Sequence, residues 1–327
     1  MIAAIDCGTN SVRLLIAQEN SDGTLSDIVR KMIIVRLGEG VDKTGEFSPQ
    51  ALMRTFNAIE EYAQDLHDHH VDKVRFIATS ASRDVSNHNE FFQGVKSRLG
   101  VIPEVISGDE EASLSFRGAT QCLDDKLQRP ILLVDIGGGS TEFVTGHESI
   151  LASISTNMGS VRVYERFFSS IDMSEGEGSL DPVIGGQGVR KALIEASAFV
   201  DSKIDEAMRS VDFFEAQTLV GVAGTVTTLA AHALGLDSYQ PDVIHGSAIK
   251  GTDYVTSCYA MMSMNVAGRD ALGYMPQGRA DVIGAGALIW SRIIERFMRC
   301  HPDKEDLSII TSDHDILDGV ALSLLDS

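Results

Sequence analysis

The sequence predicts an α/β protein of two domains, and three observations predict it. The chain has 327 residues, more than one hydrophobic core usually spans. Apolar runs of strand length alternate with longer helical patterns. A strand–Asp–x–Gly hairpin occurs twice, as AAIDCGTNSVRLLIA and as ILLVDIGGGSTEFVTG, so that Asp6, Gly8 and Ser11 line up with Asp135, Gly137 and Ser140. This duplication sets a first domain at 1–126 and a second at 127–312, with a C-terminal helix within 313–327 expected to pack back on the first.

After the first hairpin, KMIIVRLGEG reads as a strand and loop, and SPQALMRTFNAIEEYAQDLHDHH as a helix started by Ser48 and Pro49. VDKVRFIATSASRD gives a strand ending in a polar loop. A helix over NEFFQGVKSRLG, a short strand PEVIS and a helix over GDEEASLSFRGATQCL follow. Strands alternating with helices imply a largely parallel sheet. In the last of these helices, Ser107 and Glu110 read as a capping box. Glu111 has no such task, and it shares a face with Ser115 and Gly118, small residues that leave space beside its carboxylate. The second half brings its hairpin, a third strand (ILASISTNMG), long helices around 188–209, the strand TLVGVAG and the helix TVTTLAAHALG. A polar, glycine-rich connection, SEGEGSLDPVIGGQG, interrupts it, and two late helices cover ADVIGAGALIWSRIIERF and DILDGVALSLL.

A formal charge of -20, from 47 acidic and 27 basic residues, repels nucleic acid and anionic membrane surfaces. No apolar run approaches the roughly 20 residues of a bilayer span, and MIAAIDCGTN lacks the basic-then-apolar pattern of a leader. Cys7, Cys122, Cys258 and Cys300 form no CxxC pair, so neither a disulfide framework nor a zinc site is indicated. The expectation is a cytoplasmic protein with no nucleic-acid or membrane partner. Its apolar C-terminal helices suit the core or a homodimer contact, and a homodimer is expected.

The run GGG at 137–139 resembles a dinucleotide loop, but that loop must open a helix, whereas TEFVTG alternates as a strand does. GEGVDKTGE puts Asp42 where the Walker A template needs glycine. A hairpin turn of glycines and hydroxyl residues instead exposes consecutive N–H groups, a nest that binds an anion without a basic side chain. Glycine there allows positive φ and close approach of a phosphate. Gly137, Gly138, Gly139, Ser140 and Thr141 are therefore candidate phosphate ligands. Asp135 and Glu142, anionic themselves, suit a divalent cation bridging to phosphate oxygens. Gly224 and Thr225, ahead of a helix, favour an anion for the same electrostatic reason. Arg162, Arg166, Lys250 and Arg279 are single charges, more often solvated or salt-bridged than functional. HDHH at 67–70 reads as a surface run, and the dyads His67-Asp68 and His314-Asp315 as incidental.

In order along the chain, AIDCGTNSVR, ATSASRD, SGDEEA, DIGGGSTE, MGSVRVYERF, GVAGTVTTLA and GRADVIGAGALI together resemble the exopolyphosphatase and guanosine pentaphosphate phosphatase family, part of the actin-like superfamily. The resemblance implies two ribonuclease-H-like domains with an active site in the cleft between them. It assigns the catalytic base to Glu111 and phosphate contacts to Asn10, Ser11, Arg13, Arg83, Gly224 and Thr225, and it adds Asp6 to Asp135 and Glu142 as metal ligands. Mg²⁺ is the implied cofactor, with Mn²⁺ as a substitute.

The function so implied is an exopolyphosphatase that releases terminal orthophosphate from inorganic polyphosphate, with guanosine pentaphosphate as the alternative substrate. An actin-like small-molecule kinase and a non-catalytic polyphosphate or nucleotide sensor are the other classes. Longer family members carry a further helical region after the core. This chain reads as a two-domain short form, expected to favour shorter polyphosphates.

Overall fold

Period-two alternation along the first hairpin builds a sheet with two apolar faces, and each face receives its own pair of helices. The computed structural model describes residues 1–326 except 22–23, 84, 122, 124–126, 172–177, 182–185 and 305–306. Most of the glycine-rich connection at 174–188 lies outside the described residues. The chain forms two compact units, Met1–Gln121 with His314–Ser327, and Cys122–Asp313.

In the first unit, β1 (Ile2–Cys7), β2 (Ser11–Glu19), β3 (Leu25–Ile34), β4 (Lys73–Ala78) and β5 (Glu104–Val105) form one sheet in the order β3-β2-β1-β4-β5. The β1–β2 and β2–β3 pairs are antiparallel, and β1–β4 and β4–β5 are parallel. The sheet is thus mixed, because two of its five strands arrive by hairpins and only the later ones by helical crossovers. Ala3, Ile5, Cys7, Val12, Leu14 and Ile16 turn to one face, where α2 (Pro49–Asp68) and α3 (His88–Leu99) supply Leu52, Ile59, Tyr62 and Phe91. Ile2, Ala4, Leu15 and Ala17 turn to the other, against α4 (Gly108–Gln121) and α12 (Ile316–Ser323). Alternation therefore carries Asp6 and Arg13 to the α4–α12 side. A short helix, α1 (Val41–Thr44), follows β3.

The second unit repeats the pattern. Strands β6 (Ile131–Ile136), β7 (Thr141–Gly146), β8 (Ile150–Thr156), β9 (Thr218–Val222), β10 (Ser247–Lys250) and β11 (Ser308–Thr311) lie in the order β10-β11-β9-β6-β7-β8. Read from β8, the first five match the first unit, and β10 adds an antiparallel edge. Both units have the strand order expected of ribonuclease-H-like domains. Helices α5 (Ser160–Phe167), α6 (Gly186–Ala207), α7 (Ala223–Ala233), α8 (Pro241–Ile244), α9 (Gly251–Ser263), α10 (Val266–Asp270) and α11 (Ile283–Cys300) complete the unit. Trp290, fully buried on α11, packs edge-on to Tyr254, whose hydroxyl donates to the Val226 carbonyl at 3.0 Å. Strands β10 and β11 are too short, four residues each, to stand out in the sequence pattern. No described helix is long and apolar enough to cross a membrane.

Candidate active site

The two hairpin turns have the same hydrogen-bond plan. In the first, Gly8 N–H closes the turn on Ser11 O at 2.9 Å, and in the second Gly137 N–H closes it on Ser140 O at 3.0 Å. The turn carbonyls are then taken by another segment. Asn10 O accepts from Val35 and Arg36, and Thr9 O from Gly38. Gly137 O accepts from Ser160 N–H, while Gly138 O accepts from the N–H groups of Val161 and Arg162. Arg162 Nε adds a bond to Gly139 O at 2.7 Å. With the carbonyls held, no backbone acceptor among the described residues takes the N–H of Gly138, Gly139 or Ser140. Such a row of donors is an anion nest.

None of Gly137–Gly139 has a positive φ, which corrects that expectation. A Cβ on Gly159, the residue before α5, would stand 2.3 Å from the carbonyl carbon and oxygen of Gly138. The helix start thus touches the glycine loop, backbone to backbone.

The register separates the two copies. Asp6 is directly opposite Arg13 in the first hairpin, whereas Asp135 is directly opposite Glu142 in the second. Asp6, Asp135, Glu142 and Glu111 are 4, 5, 1 and 8% exposed, so four buried carboxylates need charge compensation. Arg13 supplies it to Asp6, donating from Nε at 3.0 Å and Nη2 at 2.6 Å to the same oxygen, Oδ2. Its Nη1 donates to Asp315, the cap of α12. Burial works against the arginine's charge, yet Asp315 and Asp6 together raise its pKa well above the usual value. Burial also raises the Asp6 pKa, against the pull of Arg13 and with a further rise from Asp315. The Glu142 side chain accepts from Ser155 Oγ at 2.7 Å through Oε1.

Glu111 and Arg83, singled out for separate tasks, meet in an ion pair through Arg83 Nη2 and Glu111 Oε2. Arg83 follows β4 and a 3₁₀ turn at Ser80–Ser82, and its Nε donates to the Ile106 carbonyl at 3.0 Å. Two expectations about α4 need correction. Glu110 does not complete a capping box: its N–H does reach Ser107 Oγ at 3.2 Å, but its carboxylate pairs with Arg75 at 2.7 Å. The space beside Glu111 is not open at Gly118 either, since a Cβ there would stand 1.9 Å from Asp315 O. Helix α12 fills it.

In the second unit, Ala223 has φ of 69°, a left-handed conformation for an alanine, immediately before Gly224 at the start of α7. Arg279 Nη1 donates to Gly224 O at 2.8 Å and to Thr228 Oγ1 at 3.0 Å. Arg279 and Arg162 therefore brace the two loops through carbonyls, a role that charge alone did not reveal in the sequence. The His314-Asp315 dyad is not incidental: Asp315 pairs with Arg13, and His314 Nδ1 lies 2.7 Å from Asp318. Burial alone would raise the Asp318 pKa, but His314 and Arg30 hold it well below the usual range. Asn10, Ser11 and Thr141 lie in or beside the hairpin turns, whereas Gly224 and Thr225, expected ahead of a helix, lie within the first turn of α7 itself.

Among the described residues, no three His, Cys, Asp or Glu side chains are grouped to hold a metal unaided. Mg²⁺ needs no such cage, since it keeps several waters and takes one or two carboxylates with substrate phosphates. Asp135 and Glu142, buried and directly opposed, suit that demand. So does Asp6 Oδ1, buried without a hydrogen-bond partner.

The sequence model of the Ppx/GppA phosphatase family matches residues 15–327. The chain is 43% identical over 332 residues to Exopolyphosphatase 2 of Mycobacterium tuberculosis (strain ATCC 25618 / H37Rv), covering 99% of this chain and 98% of that protein. The crystal structure of an exopolyphosphatase-like protein aligns with a TM-score of 0.89 at 40% identity, covering 99% of this chain and 97% of the other. The Aquifex aeolicus member of the Ppx/GppA family aligns with a TM-score of 0.74 at 30% identity, covering 99% and 97%. With paired hairpin turns, an anion nest in the second, buried acids and a match that runs through both units, the chain belongs to the Ppx/GppA phosphatase family.

Proposed function

We propose that this chain is an exopolyphosphatase, a hydrolase that releases orthophosphate from the end of inorganic polyphosphate and works with Mg²⁺. The observation that carries the reading is the row of donors at Gly138, Gly139 and Ser140, whose carbonyl neighbours are already held by α5. Near-full-length identity to a protein named Exopolyphosphatase 2 supports the substrate class.

Hydrolysis of a phosphoanhydride needs an oriented water, a proton acceptor and positive charge or dipoles on the transferring group. The loop amides and the first turn of α7 bind phosphate oxygens by charge-assisted hydrogen bonds, each worth roughly 1.5–3 kcal/mol. Asp135 and Glu142 would hold a divalent cation, which would supply positive charge to the bound phosphate. Glu111 takes the proton of the attacking water. The water oxygen bonds to the terminal phosphorus as the bridging P–O bond breaks, and the shortened polyphosphate leaves with that bond's electron pair. Arg83 has two claims on it, because a terminal phosphoryl is a stronger partner than one carboxylate.

Orthophosphate release from polyphosphate of defined length, beside guanosine pentaphosphate, tests the reading. Glu111→Gln is expected to lower turnover by about 10²–10⁴ with the fold intact. Wild-type turnover in that variant would refute the assignment of Glu111. An intact chain that cleaves only guanosine pentaphosphate would overturn polyphosphate as substrate.

A further inference from the structure

Arg13 meets two carboxylates in the first unit, and only one of them belongs to its own hairpin. Asp315, 302 residues away in sequence, takes Nη1 through its Oδ2. Its Oδ1 meanwhile accepts the N–H of Leu317 at 3.0 Å and caps α12. The close backbone crossing of α4 and α12, with Gly118 against Asp315 O, fixes where that carboxylate stands. One consequence concerns charge: two acids around one arginine leave a buried group that is net negative when both are ionised. The other concerns geometry. With Nη1 engaged by Asp315, the arginine binds Asp6 only through Nε and Nη2, both at Oδ2. Asp6 Oδ1 remains buried with no hydrogen-bond partner. A buried carboxylate oxygen left so is costly unless something outside the chain satisfies it.

We propose that Asp315 is a positioning residue for cation binding: by holding Arg13 it keeps the Asp6–Arg13–Asp315 group net negative and leaves Asp6 Oδ1 to a divalent cation or a water bound to one. This rests on the reading above that the chain works with a divalent cation. Outer partners that orient a metal's carboxylate change metal affinity by roughly 10- to 100-fold. Because Asp315 acts through Arg13, the low end applies. A purely structural role, capping α12, would be kept by asparagine, which offers the same acceptor to Leu317 N–H.

The test measures Mn²⁺ binding by electron paramagnetic resonance on the full chain without substrate, with Asp6→Asn as the reference for the site. Asp315→Asn is expected to bind Mn²⁺ about tenfold more weakly with an unchanged thermal midpoint. Arg13→Gln with Asp315→Asn removes one charge of each sign and is expected to restore the wild-type affinity. Equal affinity in the wild type and Asp315→Asn, or no binding that Asp6→Asn weakens, overturns the proposal. Should Asp315→Asn fail to fold, Arg13→Gln against the double variant reads the same charge. Weaker binding in the double variant upholds the inference, and equality overturns it. Phosphate release by the wild type is followed in parallel. Its absence with the affinity order intact overturns the activity alone.

Discussion

Glu142 occupies the position that Arg13 holds in the first hairpin, and that single difference separates an acid facing an arginine from a pair of acids. Like charges directly opposite on neighbouring strands are destabilising, by roughly 0.2–1 kcal/mol where water screens them and more when buried. Glu142→Gln is therefore expected to raise the thermal midpoint of the metal-free protein while reducing phosphate release by at least about tenfold. Melting curves in chelator beside steady-state rates check it, and a variant both less stable and fully active would refute the assignment. The sequence already singled out Asp135 and Glu142, because acids beside a glycine turn have few other uses, and the family resemblance singled out Glu111. It did not pair Arg83 with Glu111 or Arg13 with Asp315, since those contacts join residues 28 and 302 positions apart. Sequence periodicity speaks only of near neighbours.

Helix α5 is the element whose role could not be foreseen. Its eight residues have ordinary helix chemistry, yet its first turn holds two carbonyls of the glycine loop and so leaves the loop's N–H groups to the ligand. Gly159 makes this contact possible, and Gly159→Ala would place a methyl carbon within 2.3 Å of the Gly138 backbone. Relief of such overlap shifts the backbone and typically costs about 1–3 kcal/mol. The variant is expected to melt lower and to lose affinity for phosphate disproportionately. An orthophosphate inhibition constant equal to that of the wild type would show that the loop does not depend on α5. The hairpins themselves were legible from strand–Asp–x–Gly grammar. The proportion of parallel pairing was not, because alternation with helices is shared by parallel and mixed sheets.

At the scale of the whole chain, a charge of -20 sets the ligand problem, since an anion must be held against the global field by backbone dipoles and a few shielded arginines. The duplicated hairpin marked two units, and the C-terminal helix expected to return to the first one does so, which leaves that unit interrupted in sequence. Strands β1 and β4 present Ile2, Ala4 and Ile77 to Leu317, Val320 and Ala321 of α12, and all of Cys122–Asp313 intervenes in the chain. This arrangement has a kinetic consequence. During synthesis the second unit emerges as one continuous stretch, whereas the first must wait for the last helix before the sheet face that α4 begins to cover is fully closed. Closing so long a loop is slow relative to local pairing. In refolding monitored by pulsed hydrogen exchange, amides of β6, β7 and β9 are expected to gain protection before those of α4 and α12. The reverse order would show that the first unit collapses without its final helix.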